Sequence, residues 1–172
     1  MDLSEHLARV SSLVDEHGVC IQHVGGGADG PGFSYTVGLF LTNHPELLIG
    51  AFPIDLAGDL LRDLANAVLR SGMRFGAGDR VQRLVSSGEG WLLEIADPCE
   101  LLRSACALAE QRSLDASSVT GLQVVFADVK GRWPWDAGSE YGDLPILGPI
   151  PDGGTGRDLA LPSSADRRSH GW

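Results

Sequence analysis

The feature that most limits what this chain can become is a series of three β-prone segments near its start. They lie at residues 19–24, 33–39 and 46–52, with turn formers and no helical pattern between them. Residues 25–32 read GGGADGPG, too rich in glycine and proline for anything but a loop, and residues 43–45 supply a second turn. Segments 33–39 and 46–52 combine aromatic, β-branched and aliphatic residues, so they are expected to pair. Strands that follow one another without a helix favour an antiparallel or mixed sheet over a parallel one.

Helical periodicity appears three times. Leu3, Leu7, Val10 and Val14 recur at spacings of three and four, with Gly18 placed to end the helix. Leu56, Leu60, Leu61, Leu64, Ala67 and Val68 form the clearest stripe, with Asp55 as its expected N-cap and Gly72 beyond its end. Segments 81–85 and 91–95 read as a hairpin around SSGEG. Asp97, Pro98 and Glu100 then open a third helix expected to run to Arg112, and residues 122–129 are strongly β-prone. The order α-β-β-β-α-β-β-α-β predicts an α+β domain: a mixed, largely antiparallel sheet of about five to six strands, covered on one side by about three helices.

The 172 residues fit one domain, expected over 1–150. Residues 151–172 mix Gly, Ser, Pro, Asp and Arg with few apolar side chains to offset the entropy of ordering, so they are expected to be a disordered tail. The longest apolar runs fall far short of the roughly 20 residues a membrane span needs. Asp2 and Glu5 stand where a signal peptide needs positive charge, so the expected location is cytoplasmic. Cys20, Cys99 and Cys106 form no C-x-x-C pair. They read as reduced thiols, Cys99 and Cys106 as small core residues on one helix face, and no disulfide is expected.

The net charge is −10, and the last 22 residues balance three Asp against three Arg, so the acidity belongs to the domain. With Lys130 as the single lysine and thinly spread arginines, nucleic acid and anionic membranes are disfavoured. An acidic surface of this kind suits a basic protein partner instead.

Motifs for cofactors are missing. The glycine run lacks the G-K-[ST] ending and leads into a strand rather than a helix N-terminus, so it does not read as a phosphate loop. His17, His23 and His44 lack the spacing that sets two metal donors on one face, and no metal or cofactor is expected. His44, in the turn NHPEL, either acts as acid or base near neutral pH or merely hydrogen-bonds its turn. The segment QVVFADVKGRWPWD delivers Asp128, Lys130, Arg132, Trp133 and Trp135 into one loop. Its tryptophans either cap the core or wall an apolar pocket rimmed by Asp128 and Arg132, which can also form a simple salt bridge.

Taken together, FSYTVGL (33–39), HPELLIGAFP (44–53), GLQVVFADVKGRWPWDAG (121–138) and PILGP (145–149) resemble a bacterial family, the domain of unknown function DUF4262, over residues 5–149. The resemblance implies a small bacterial α+β domain and transfers no activity. It marks Phe33, Tyr35, Thr36, Gly38, His44, Pro45, Glu46, Gln123, Asp128, Gly131, Arg132, Pro134 and Trp135 as positions of the family's motifs.

Two functions follow as expectations. The first is a small-molecule- or peptide-binding protein, or a cofactor-free enzyme, with a pocket between the His44 turn and the 128–135 loop. In it His44 and Asp128 are the catalytic candidates, Arg132 holds an anionic group, and Tyr35, Trp133 and Trp135 form the walls. His44, Asp128 and Arg132 would then lie within about 8 Å of one another. The second is an acidic interaction module, immunity-like or accessory, without catalysis.

Overall fold

A computed structural model describes residues 2–28, 30–85, 88–153 and 156–162. Helix α1 (Leu3–His17) ends at Gly18, whose positive φ of 81° closes the αL cap on the Val14 carbonyl. Strands β1 (Cys20–Val24), β2 (Phe33–Val37) and β3 (Glu46–Gly50) follow as an antiparallel meander, with a short 3-10 turn at Leu39–Thr42 between the last two. Helix α2 (Ile54–Ser71) ends at Gly72 as its sequence implied. Its N-cap position is held by Pro53, and Asp55 lies in the first turn, where its charge still complements the helix dipole.

The second half contains β4 (Arg80–Val85), β5 (Gly88–Glu94), α3 (Pro98–Leu101), α4 (Arg103–Gln111) and β6 (Gly121–Phe126). Of the turn expected at SSGEG, residues 88–90 belong to β5, and residues 86–87 lie outside the described residues. A short β7 (Asp158–Ala160) closes the count. Among the described residues the sheet has seven strands in the order β1-β2-β3-β6-β5-β4-β7, antiparallel except for β3 with β6 and β4 with β7. The chain is therefore an α+β protein with one strand more than expected. The extra strand falls in the segment expected to be a disordered tail.

Helices cover both faces, not one. Leu60, Leu61, Leu64 and Val68 of α2 pack on one face against Leu47, Ile49, Leu92, Leu122 and Val124. Val10 and Val14 of α1 and Ala105, Leu108 and Ala109 of α4 pack on the other against Tyr35, Val37 and Leu48. Over β5 and β6 that second face is covered by loop instead: Trp133, Trp135, Leu144 and Ile146 lie on Trp91, Leu93 and Val125. β3 and β6 are buried at every position, which explains their nearly unbroken apolar sequences.

The third helix is two helices. The chain breaks at Leu102 (φ −91°, ψ 48°), which ends α3 and precedes α4. That break permits a disulfide between Cys99 and Cys106, whose Cα atoms are 5.8 Å apart. An unbroken helix would hold such a pair about 10.5 Å apart, beyond bonding range. The expectation of reduced thiols is thus overturned for two of the three cysteines, and with it one support for a reducing compartment. Cys20 stays a buried free thiol whose pKa burial pushes up, against a hydrogen bond from Gln22. Among the described residues no helix is long and apolar enough to cross a membrane.

Candidate functional site

β3 and β6 run parallel, with Glu46 opposite Gly121, so the start of β3 and the end of β6 lie at opposite ends of the sheet. His44 precedes β3 and Asp128 follows β6. The length of β6 alone, at about 3.3 Å per residue, separates them by roughly 20 Å. The expected meeting of His44 with Asp128 and Arg132 does not occur.

At the His44 end, buried polarity is satisfied internally. His44 Nδ1 donates to the Pro45 carbonyl at 2.6 Å and Nε2 accepts the Phe75 amide at 3.0 Å, which fixes one neutral tautomer. Burial pushes the imidazole below its ordinary range. The Pro45 hydrogen bond opposes this, and the charge of Arg74 adds to it. With both nitrogens engaged, His44 ties the β3 turn to the segment after α2. Glu46 is fully buried beside it. Its Oε2 accepts the Thr36 hydroxyl at 2.6 Å, and its Oε1 accepts the amides of Gly38 and Phe40 at 2.8 and 3.0 Å. Burial drives its pKa up to about 7 because those donors offset only part of the desolvation. Three of the positions marked by resemblance, Thr36, Gly38 and Glu46, are therefore one hydrogen-bonded knot. Tyr35 lies in the core under α1 and α4, its hydroxyl accepting the Ser104 amide at 3.2 Å. It does not reach the 128–135 loop.

At the other end Asp128 organises the loop after β6. Oδ1 accepts the amides of Lys130 and Arg132, each at 2.9 Å, while Oδ2 accepts Arg132 Nε at 2.9 Å and the Glu140 amide at 3.2 Å. Burial alone would raise this carboxyl. The amides of Arg132, Glu140 and Lys130 and the Arg132 guanidinium outweigh it and hold the pKa down at about 2. Gly131, at φ 77°, makes the left-handed turn that lets the loop close back on Asp128. Trp133 and Trp135 stack on each other at 6.0 Å and meet the Trp91 ring edge-on at 5.0 and 5.4 Å. Arg80 lies 4.3 Å over the same ring. Packing and pocket are not alternatives here, because the Trp133 side chain contributes to both.

A groove of about 620 Å³ runs over the C-terminal end of β6. Phe52, Phe126, Tyr141 and Trp133 are its aromatic walls, and Arg80, Glu89 and Asp128 its charged groups. Phe52 lies 4.9 Å from Phe126 and 6.0 Å from Tyr141, ring to ring. Leu56, the first apolar position of the α2 stripe, stays 41% exposed and lines the same groove. Among the described residues, Glu89 Oε1 is buried there with no hydrogen bond. Arg80 Nη1 is 3.4 Å away, close enough for an ion pair but outside hydrogen-bond geometry. Reasoning from sequence missed Phe52, Leu56, Arg80 and Glu89. Only Leu56 left a signal, as an apolar stripe residue that stays exposed while Leu60, one turn on, is buried.

A family model described as Domain of unknown function (DUF4262) matches residues 13–140. The chain belongs to that family. In this DUF4262 chain the matched span holds α1 from residue 13, both sheet ends just described and the tryptophan loop. PILGP and β7 fall beyond it. PILGP is nevertheless fixed to the matched part: Gln123 donates to the Pro145 carbonyl at 2.8 Å and accepts the Leu147 amide at 2.9 Å. No curated protein and no solved structure shows significant similarity to the chain.

Proposed function

We propose that this DUF4262 domain binds a small organic cation in the groove over β6, without catalysing a reaction on it. The carrying observation is Glu89 Oε1, which faces Arg80 at 3.4 Å without a hydrogen bond, in a groove with aromatic walls. An acceptor held only by a long ion pair still lacks a hydrogen bond, and a ligand amine or amidine would supply one. The groove's volume is in the range of small-molecule sites. Trp133 and Tyr141 offer faces to an apolar ligand body, and the net charge of −10 favours a cation over an anion. Binding rather than catalysis is supported by the state of the two catalytic candidates. Asp128 is held ionised by four donors, and His44 has both ring nitrogens occupied at the far end of the sheet.

Phenethylamine and benzamidine are the probes, with benzyl alcohol as an uncharged control, read by quenching of tryptophan fluorescence. Saturable binding of the amines, weakened roughly tenfold by Glu89→Gln, is the expected result. Equal response to amine and alcohol, or no effect of Glu89→Gln, would sink the proposal.

A further inference from the structure

Strand β4 is the last strand of the sheet that lies within the matched family span, and an uncovered outer edge there would present unpaired backbone groups. In this chain that edge is covered by residues 156–161. We propose that the outer edge of β4, with the Asp79 carboxylate at its start, is a docking groove for an extended peptide carrying an arginine two residues before a leucine, and that residues 156–161 are its tethered occupant.

The groove recognises its occupant in three ways. The backbone pairs in parallel, Arg80 with Asp158, Val81 with Leu159 and Gln82 with Ala160, and the Arg80 amide donates to the Arg157 carbonyl at 2.8 Å. Arg157 then engages Asp79. Oδ1 accepts the Arg157 amide at 3.0 Å and Nε at 3.3 Å, and Oδ2 accepts Nη2 at 2.7 Å, which also donates to the Arg74 carbonyl at 2.7 Å. Lastly, Leu159 and Leu161 pack against the α2 side of the core. Main-chain bonds supplying affinity and alternate side chains supplying selectivity is the pattern of strand addition to a sheet edge.

The asymmetry of the ion pair says which partner is the receptor. The Asp79 side chain is 5% exposed and that of Arg157 is 59% exposed. Among the described residues, removing the segment would leave Asp79 with the Gly76 amide as its donor at 2.8 Å, a carboxylate in a wall facing the vacated edge. The connection to residue 156 reads GPIPDGGTG from residue 148, a composition rich in glycine and proline. Gly156 sits so close to the Gly78 carbonyl that a Cβ has no room. Its substitution is therefore a way to evict the segment while leaving the groove's own residues intact.

The test uses the full chain carrying Gly156→Val and a dye-labelled peptide of the sequence TGRDLALP, residues 155–162. The variant is expected to keep its circular dichroism spectrum and to bind the peptide at least about tenfold tighter than the wild type, whose own segment competes. Replacing the peptide arginine with alanine, or Asp79→Asn in the protein, should remove that gain. A folded variant that takes up no peptide overturns the proposal, as does equal binding by variant and wild type. A variant that dimerises without taking up peptide also overturns it, in favour of exchange between copies. If Gly156→Val does not fold, Arg157→Glu evicts the segment by charge repulsion and is judged by the same outcomes.

Discussion

Glu46 and Asp128 are both buried carboxyl groups surrounded by backbone amides, yet one is driven up to about 7 and the other down to about 2. They sit at opposite ends of the β3/β6 pair. Desolvation raises both but weighs more heavily on the fully enclosed Glu46, and what faces the two groups differs as well. Glu46 receives two amides and a hydroxyl and no positive charge. Asp128 receives three amides and a guanidinium. Heavier desolvation at Glu46 and the guanidinium at Asp128 together set the opposite signs. The comparison also separates polarity that holds a fold from polarity that recognises something. The knot around Glu46 is closed, whereas near Asp128 the structure leaves a groove and an acceptor without a donor.

The largest expected effect is at Trp91, on which the loop end rests. Trp91→Ala should cost about 3–5 kcal/mol in urea denaturation, because it removes the ring that Trp133, Trp135 and Arg80 share. A cost no larger than that of an exposed residue would mean that the loop end is not held by its aromatic cluster.

The next effect is a pH dependence. Glu46 has a higher pKa folded than unfolded, so between the ordinary carboxylate range and about 7 the folded chain binds the extra proton. Stability contributed by this group is therefore present at low pH and lost as pH rises through about 7. Relative to Glu46→Gln, the wild type should lose on the order of 3 kcal/mol between pH 4 and pH 8. Parallel pH profiles of the two proteins would show that Glu46 is not the cause.

His44→Ala should cost about 2 kcal/mol, since the buried Phe75 amide loses its acceptor. It should leave amine binding at the groove unchanged. Loss of binding in a folded His44→Ala protein would break the separation of the two ends.

Asp128 gives the smallest shift with the opposite sign. Its folded pKa is depressed, so its contribution is present above the ordinary carboxylate range and lost as pH falls through about 2. Asp128→Asn should lower Tm by a few degrees at pH 7, and the gap should narrow toward pH 2. A gap independent of pH would assign Asp128 a packing role only.

Local features were legible in the sequence and long-range ones were not. The stripe from Leu60 to Val68, the αL ends at Gly18 and Gly72, and the β2/β3 pairing are all set by residues close in the chain. The Asp128–Arg132 pair was readable for the same reason, being four residues apart. The placement of His44 depended on β3 pairing in parallel with a strand that follows two further strands and three helices, which no periodicity encodes. The break at Leu102 carries no glycine or proline, so the i, i+7 cysteines looked like two points on one helix. The strand Asp158–Ala160 owes its order to Asp79, far away in sequence, and composition cannot register a partner of that kind.

The parallel contact between β3 and β6 has a further consequence. It is a seam between two locally built three-stranded units, β1-β2-β3 and β4-β5-β6, and the residues joined across it are distant in the chain. Closing a long loop costs entropy before its contacts form, so each unit should assemble first and the seam should zip last. In pulse-labelled hydrogen exchange during refolding, amides within the units should gain protection before those joining β3 to β6. Simultaneous protection would instead make the sheet a single folding step.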